Sequence, residues 1–175
     1  RKDLMKSLLQ LIQLFHAGAY SHPMFIDGQQ PMAPSAVYSR YSQTTPREMT
    51  TADIHEAQEN YARAAVRAKE AGFDGIEILA SAGYLISQFL SEKTNQRTDE
   101  YGGSFENRVR FPREIIELLR KRLGPEYPLT IRMAGNDFVR GSNTDKEIPE
   151  FARVYEKAGV DAINVTGGWH ESRVP

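Results

Sequence analysis

The sequence predicts an α/β fold built on a parallel sheet. Four short apolar runs, each about five residues long and rich in Ile, Leu or Val, are bounded by Gly or Pro. Helical patterns separate them, so strand and helix alternate along the chain. The hydrophobic fraction is 40%, enough to build a core. A strand–helix–strand array of this kind implies parallel strands joined by crossover helices.

In chain order, Leu11-Ile-Gln-Leu-Phe15 reads as the first strand. The stretch 20–49 carries Pro23, Pro31, Pro34 and Pro46 and little periodicity. It is expected to be a long irregular loop, of the kind that forms a lid or binding loop or is partly disordered. Thr50-Thr-Ala-Asp53 opens a helix with an acidic first turn. Ile54, Ala57, Tyr61, Ala64, Ala65 and Ala68 recur at helical spacing, and Ala71-Gly72 ends the run.

Gly75-Ile-Glu-Ile-Leu79 is the second strand, and it leaves through Ala80-Ser81-Ala82-Gly83 onto one phenol, Tyr84. Ser104 is placed to cap a second helix, whose stripe is Ile115, Ile116, Leu119 and Leu123 and whose stop is Gly124-Pro125. Pro112 lies inside that pattern, so a kink or break is expected near Arg110. Leu129-Thr-Ile-Arg-Met133 is the third strand. A helix over about 145–157 follows and ends at Ala158-Gly159, and Ala162-Ile-Asn-Val-Thr166 is the fourth strand.

Four strands in 175 residues are half of a (β/α)8 barrel, since a complete one takes roughly 200 residues or more. A small doubly wound sheet is the alternative. No Gly-x-Gly-x-x-Gly follows any strand, which disfavours a dinucleotide-binding Rossmann unit.

The bulk properties exclude several function classes. A net charge of −1 gives no electrostatic case for nucleic acid or an anionic membrane. With no cysteine there is no disulfide and no thiolate metal site within these residues, and no His/Asp/Glu cluster has metal-ligand spacing. No apolar run approaches the roughly 18 to 20 residues of a membrane span. No signal peptide is visible, so a cytoplasmic location is expected. A start at Arg1 suggests a piece of a longer chain.

In a barrel the chemistry sits at the C-terminal strand ends. Those ends carry Gln13 and His16, then Tyr84, then Arg132, Asn136 and Asp137, then Thr166, Gly167, Gly168, Trp169 and His170. Arg132 is a charge within an apolar strand, and an unpaired buried charge is costly. It either pairs with a strand carboxylate such as Glu77 or faces a bound electron-rich ring or anion. Gln13 either satisfies backbone groups or reads the edge of a heteroaromatic ring. His16 reads as a structural histidine. Tyr84 and His170 stand at strand ends that could converge on one substrate, and such a pair can donate and relay a proton near neutral pH. No Ser–His–Asp arrangement announces a nucleophile.

Longer motifs add to this reading. Asn95-Gln-Arg97-Thr-Asp99-Glu-Tyr101-Gly-Gly-Ser104-Phe-Glu-Asn107-Arg108-Val-Arg110-Phe111 resembles the signature of the old yellow enzyme family of FMN-dependent oxidoreductases. Gly72-Phe-Asp-Gly75-Ile-Glu77, Gly83-Tyr84-Leu85 and Gln13-Leu-Phe-His16-Ala-Gly18 fit it too, in matching order and spacing. The resemblance implies that residues 1–175 are a fragment of a single FMN-binding (β/α)8 barrel domain, holding about strands 3 to 6. Gly167-Gly-Trp-His170-Glu-Ser-Arg173-Val-Pro175 resembles the branch of 2,4-dienoyl-CoA reductases and 2-enoate reductases.

That branch implies Tyr84 and His170 as catalytic residues. It implies Gln13 at the flavin pyrimidine edge and Arg132 facing N1/O2 of the reduced ring. The implied reaction is NAD(P)H-dependent reduction of an activated C=C bond of an unsaturated acyl-CoA or enoate, with hydride from flavin N5 and a proton from Tyr84. Full-length relatives of the branch are expected to hold a 4Fe-4S cluster, FAD and NAD(P)H outside these residues, and the family's FMN phosphate site lies on strands beyond them. The isolated fragment is therefore expected to be inactive. The chain departs from many members at Leu79 and Ala82, where a His and a His or Asn bind a substrate carbonyl or nitro oxygen, and at Ala19, where an Arg is common. Neither Leu79 nor Ala82 can donate a side-chain hydrogen bond, which disfavours ordinary enone or nitroester chemistry. A reductase or desaturase of 4-en-3-oxo steroid or bile-acid intermediates is the alternative substrate class. A half-barrel that self-associates through exposed barrel edges as a homo-oligomer is the non-enzymatic alternative.

Overall fold

The computed structural model describes residues 9–172. Residues 173–175 of the last motif lie outside them. The strands are β1 (Leu11–Leu14), β2 (Met32–Ala33), β3 (Arg47–Glu48), β4 (Gly75–Ala80), β5 (Leu129–Asn136) and β6 (Ala162–Gly167). The helices are α1 (Thr51–Glu70), α2 (Leu85–Leu90), α3 (Phe105–Arg108), α4 (Arg110–Leu123) and α5 (Glu147–Ala158). The main sheet runs β1-β4-β5-β6, and every pair in it is parallel. This is a partial α/β barrel: an open parallel sheet with helices between its strands.

The four predicted runs are the four strands of this sheet. Their register explains how one chain serves two faces. Ile76 pairs with Leu129 and Ile78 with Ile131, and these side chains join α1, α4 and α5 in a continuous core. The alternate positions Gln13, Glu77, Arg132 and Asn164 fall on the opposite face, because side chains alternate along a strand.

Local chemistry sets the helix ends. Thr50 and Asp53 form a reciprocal capping box at the start of α1. The expected break near Arg110 is present: Val109 closes α3 and opens α4. Pro112 then falls in the first turn of α4, where its missing N–H removes no helical bond. Gly159 closes α5 in the left-handed conformation (φ +113°).

Two features differ from expectation. The stretch 20–49 is not a structureless loop. It holds a 3-10 turn at Pro23–Phe25 and the β2–β3 pair, and it buries Ala33, Ser35, Ser39, Ser42 and Met49. Arg97 fixes it by donating to the carbonyl oxygens of Pro34 and Met49. The second feature is α2, a six-residue helix that opens on Tyr84 as its N-cap. All six residues are buried, so α2 shows no polar–apolar alternation to mark it. No described helix is long and apolar enough to cross a membrane.

Candidate active site

The C-terminal ends of β1, β4, β5 and β6 converge on one open cavity of about 250 Å³. Gln13, Tyr84, Arg132 and His170 all line it, with Leu79, Ala82 and the Gly167 and Gly168 backbone. The four residues singled out from sequence are therefore brought together.

The loop after β4 meets the loop after β6 directly. Ala82 forms a parallel bridge with Trp169, and the His170 N–H donates to the Ala82 carbonyl at 3.2 Å. Ala82 itself is left-handed (φ +61°), a costly conformation for a residue with a Cβ. This zipper sets Tyr84 Oη and His170 Nε2 3.0 Å apart, within one hydrogen bond whose polarity follows the imidazole tautomer. The His170 ring also stacks on Tyr41, at 5.2 Å between centroids and an interplanar angle of 24°. Phe15 packs against Tyr84 at 5.0 Å. Burial, and then the neighbouring Tyr41, push the Tyr84 phenol above its ordinary pKa, so it stays protonated through neutral pH and can donate.

Glu77 decides between the two readings of Arg132. It accepts from Gln13 Nε2 at 2.6 Å and from Asn164 Nδ2 at 3.1 Å. The ion pair with Arg132 that the sequence allows is not formed. Arg132 makes no hydrogen bond or ion pair among the described residues, whereas Arg97, Arg108 and Arg120 each bind a carboxylate. A half-buried cation facing a cavity calls for an anionic or electron-rich ligand. Gln13 keeps its amide oxygen free of described partners, so the pair fits the pyrimidine side of a flavin. No group of three or more His, Cys, Asp or Glu among the described residues could hold a metal ion.

His16 is structural, as read: its Nδ1 accepts from the Gly18 N–H at 3.0 Å, and burial lowers its pKa. Trp169 is buried and lines not this cavity but a smaller one beside it, with Ala19, Tyr20 and Gln88. Two supporting residues escaped the sequence reading. Gln88, only 1% exposed, accepts from the Ala19 N–H at 3.0 Å and donates to the carbonyl oxygens of Gly83 at 2.7 Å and Ala17 at 3.3 Å. It thus ties the β1 exit to the turn that presents Tyr84. Tyr20 fills the space over Gly83, where an added Cβ would strike its ring. The signal for Gln88 is present in the sequence: it is a lone amide within an apolar run.

Comparisons with known proteins place the chain among flavin oxidoreductases. Residues 6–174 match the family described as NADH:flavin oxidoreductase / NADH oxidase. A metal reductase of Desulforamulus reducens is 52% identical over 163 residues, covering 93% of this chain and 24% of that protein. An NADH oxidase of Thermoanaerobacter brockii is 46% identical over 161 residues, covering 92% of this chain and 25% of its own length. The structure of a 2-naphthoyl-CoA reductase in complex with 2-naphthoyl-CoA superposes with a TM-score of 0.90 at 38% identity, covering 97% of this chain and 28% of that one. The chain thus spans about a quarter of the length of these relatives.

Proposed function

Because the chain belongs to the NADH:flavin oxidoreductase / NADH oxidase family, the old yellow enzyme family, we propose that it carries the proton-donating side of an FMN-dependent ene-reductase site. The substrate is the activated C=C bond of an unsaturated acyl-CoA or enoate, and NAD(P)H is the electron source. The observation that carries this reading is the Tyr84–His170 pair, 3.0 Å apart in the cavity that Arg132 and Gln13 also line.

Gln13 and Arg132 would hold the flavin, the first through its amide and the second through its unpaired guanidinium. FMN, when bound, supplies a hydride to the electrophilic carbon of the alkene. Tyr84 supplies the matching proton to the adjacent carbon, which balances the two-electron reduction of the double bond. His170 holds the phenol through its hydrogen bond. Being exposed, it can return a proton from water to Tyr84 after each turnover. Leu79 and Ala82 place no side-chain donor in the cavity, so any hydrogen bond to a substrate oxygen falls to the other lining residues.

The test separates the two half-reactions of the FMN-loaded full-length protein. Tyr84→Phe should slow flavin reoxidation by substrate by roughly 10² to 10⁴ and leave flavin reduction by NAD(P)H unchanged. Equal reoxidation rates would remove Tyr84 from the chemistry. A panel of dienoyl-CoA, cinnamate-like acids and enone steroids assigns the substrate class.

A second reading rests on the sheet edges. β1 and β6 end the four-stranded sheet with open edges among the described residues, and Leu11 and Val165 are exposed there. Such edges favour self-association. A concentration-independent monomer in sedimentation would dismiss that reading.

A further inference from the structure

A second, larger hollow of about 820 Å³ adjoins the first, and His170 lines both. Tyr38, Arg40 and Tyr41 reach it from the stretch before α1, Lys93 from the turn after α2, and Phe138 and Arg140 from the loop after β5. Apart from Tyr41, which stacks on His170, the proton-donation chemistry uses none of these residues.

The lining is unusual in charge. Arg40, Lys93 and Arg140 face the hollow against one carboxylate, Glu171. The arginines that hold the fold are tied to acids, as Arg97 is to Asp99 and Arg120 to Asp161. The Arg40 and Arg140 guanidinium groups have no such partner among the described residues, and Lys93 donates only to the Arg140 carbonyl, at 3.4 Å. Three cations against one carboxylate leave the concave surface with an excess of positive charge, which favours an anion.

The lining is equally unusual in its aromatics. Tyr38, Tyr41 and Phe138 are 57%, 54% and 51% exposed, and all three border this one hollow. Exposed apolar surface gathered in one place marks a binding site more than scattered exposure does. Phe138 also adopts a left-handed backbone (φ +50°), rare for a bulky side chain. Its N–H donates to Asn136 Oδ1 at 2.8 Å, and its ring lies over Gly167, where a Cβ would stand 3.1 Å from Cε2. The loop after β5 thus holds an aromatic face at the mouth of the hollow at the cost of backbone strain.

Cations beside part-exposed aromatic rings suit a ligand that joins phosphates to a planar base. The shared His170 means that such a ligand can lie in the hollow while its other end reaches Tyr84. We propose that the Arg40–Lys93–Arg140 hollow is a subsite for the adenosine–pyrophosphate tail of a nucleotide-linked reactant. This deepens the ene-reductase reading and rests on it for the reacting end only. Two molecules carry that tail: an acyl-CoA thioester, and the NAD(P)H that reduces the flavin.

Calorimetric titration of the FMN-loaded full-length protein tests the subsite, using free CoA, NADPH and pantetheine as three separate probes. Arg40→Gln combined with Arg140→Gln removes two exposed cations that hold no structural contact, so folding is unaffected. The double variant should bind CoA, NADPH or both at least tenfold more weakly. The wild-type affinity for that probe should fall with added salt, and the variant should lose most of that dependence. Weakening for CoA alone assigns the hollow to the substrate, and weakening for NADPH alone assigns it to the electron donor. Pantetheine lacks the nucleotide and should bind equally to both proteins. Unchanged affinities for both nucleotide probes, or an equal loss for pantetheine, would overturn the proposal. The two claims have separate readouts: flavin reoxidation by substrate reports on Tyr84, and nucleotide affinity reports on the hollow.

Discussion

The loop scaffold around α3 and the strand-end cavity use the same residue types in opposite ways. In the scaffold, Arg97 reaches Asp99, Pro34 O and Met49 O, and Arg108, 2% exposed, reaches Glu147, Glu92, Leu90 O and Gly103 O. In the cavities, Arg132, Arg40 and Arg140 have no acidic partner among the described residues. A charge taken out of water needs compensation. Where the chain supplies it, the arginine holds the fold. At half-buried Arg132 it does not, and the compensation is left for a ligand.

Four measurements break or sharpen that contrast. Arg108→Ala should have the largest effect on stability. It strands Glu147 and several carbonyl oxygens, and urea unfolding should show a loss of about 3 to 5 kcal/mol. A loss below about 1 kcal/mol would mean that the scaffold does not depend on its buried cation. Gln88→Leu comes next, because it leaves the Ala19 N–H and the Gly83 carbonyl buried and unpaired. A loss of about 2 to 3 kcal/mol is expected, with slower substrate reduction because the Tyr84 turn loses its anchor.

Arg132→Gln should behave in the reverse way. Stability should stay within about 0.5 kcal/mol of wild type, while FMN affinity falls roughly tenfold, as for one lost charged hydrogen bond. If that substitution destabilised the apo chain as Arg108→Ala does, the contrast would fail.

The smallest effect is on pH. Hydrogen bonds from Arg47 hold the Asp53 carboxyl below the usual carboxylate range, and those from Arg97 do the same for Asp99. A depressed folded pKa means that the stabilisation is complete above the unfolded value of about 4 and is lost as pH falls through the lower folded value. Acid titration of the melting temperature should therefore show a decline that begins below about pH 4. Asp53→Asn should remove part of it.

Much of this was legible without coordinates. The four strands, the Thr50–Asp53 cap and the break before α4 follow from local rules acting over a few residues. The residues Gln13, Tyr84, Arg132 and His170 were found because strand ends and an odd charge in an apolar strand are visible in one dimension. Three things were not. α2 is buried on every side, so it carries no periodic signature. The order of the 20–49 stretch comes from Arg97, about fifty residues on in sequence, whose hydrogen bonds no local pattern encodes. The choice between the two readings of Arg132 was not legible because Gln13, Glu77 and Asn164 lie on three strands, and only the folded sheet brings the two amides to the carboxylate.

The sequence by itself determined the parallel α/β architecture, the family and the list of polar strand-end groups, because periodicity, caps and motif spacing are properties of neighbouring residues. The tertiary structure alone decided which charges are neutralised. It set Tyr84 within hydrogen-bonding distance of His170, left Arg132 unpaired, and gathered Arg40, Lys93 and Arg140 around one hollow. Charge compensation acts through space at a few ångströms, and only the folded chain fixes those distances.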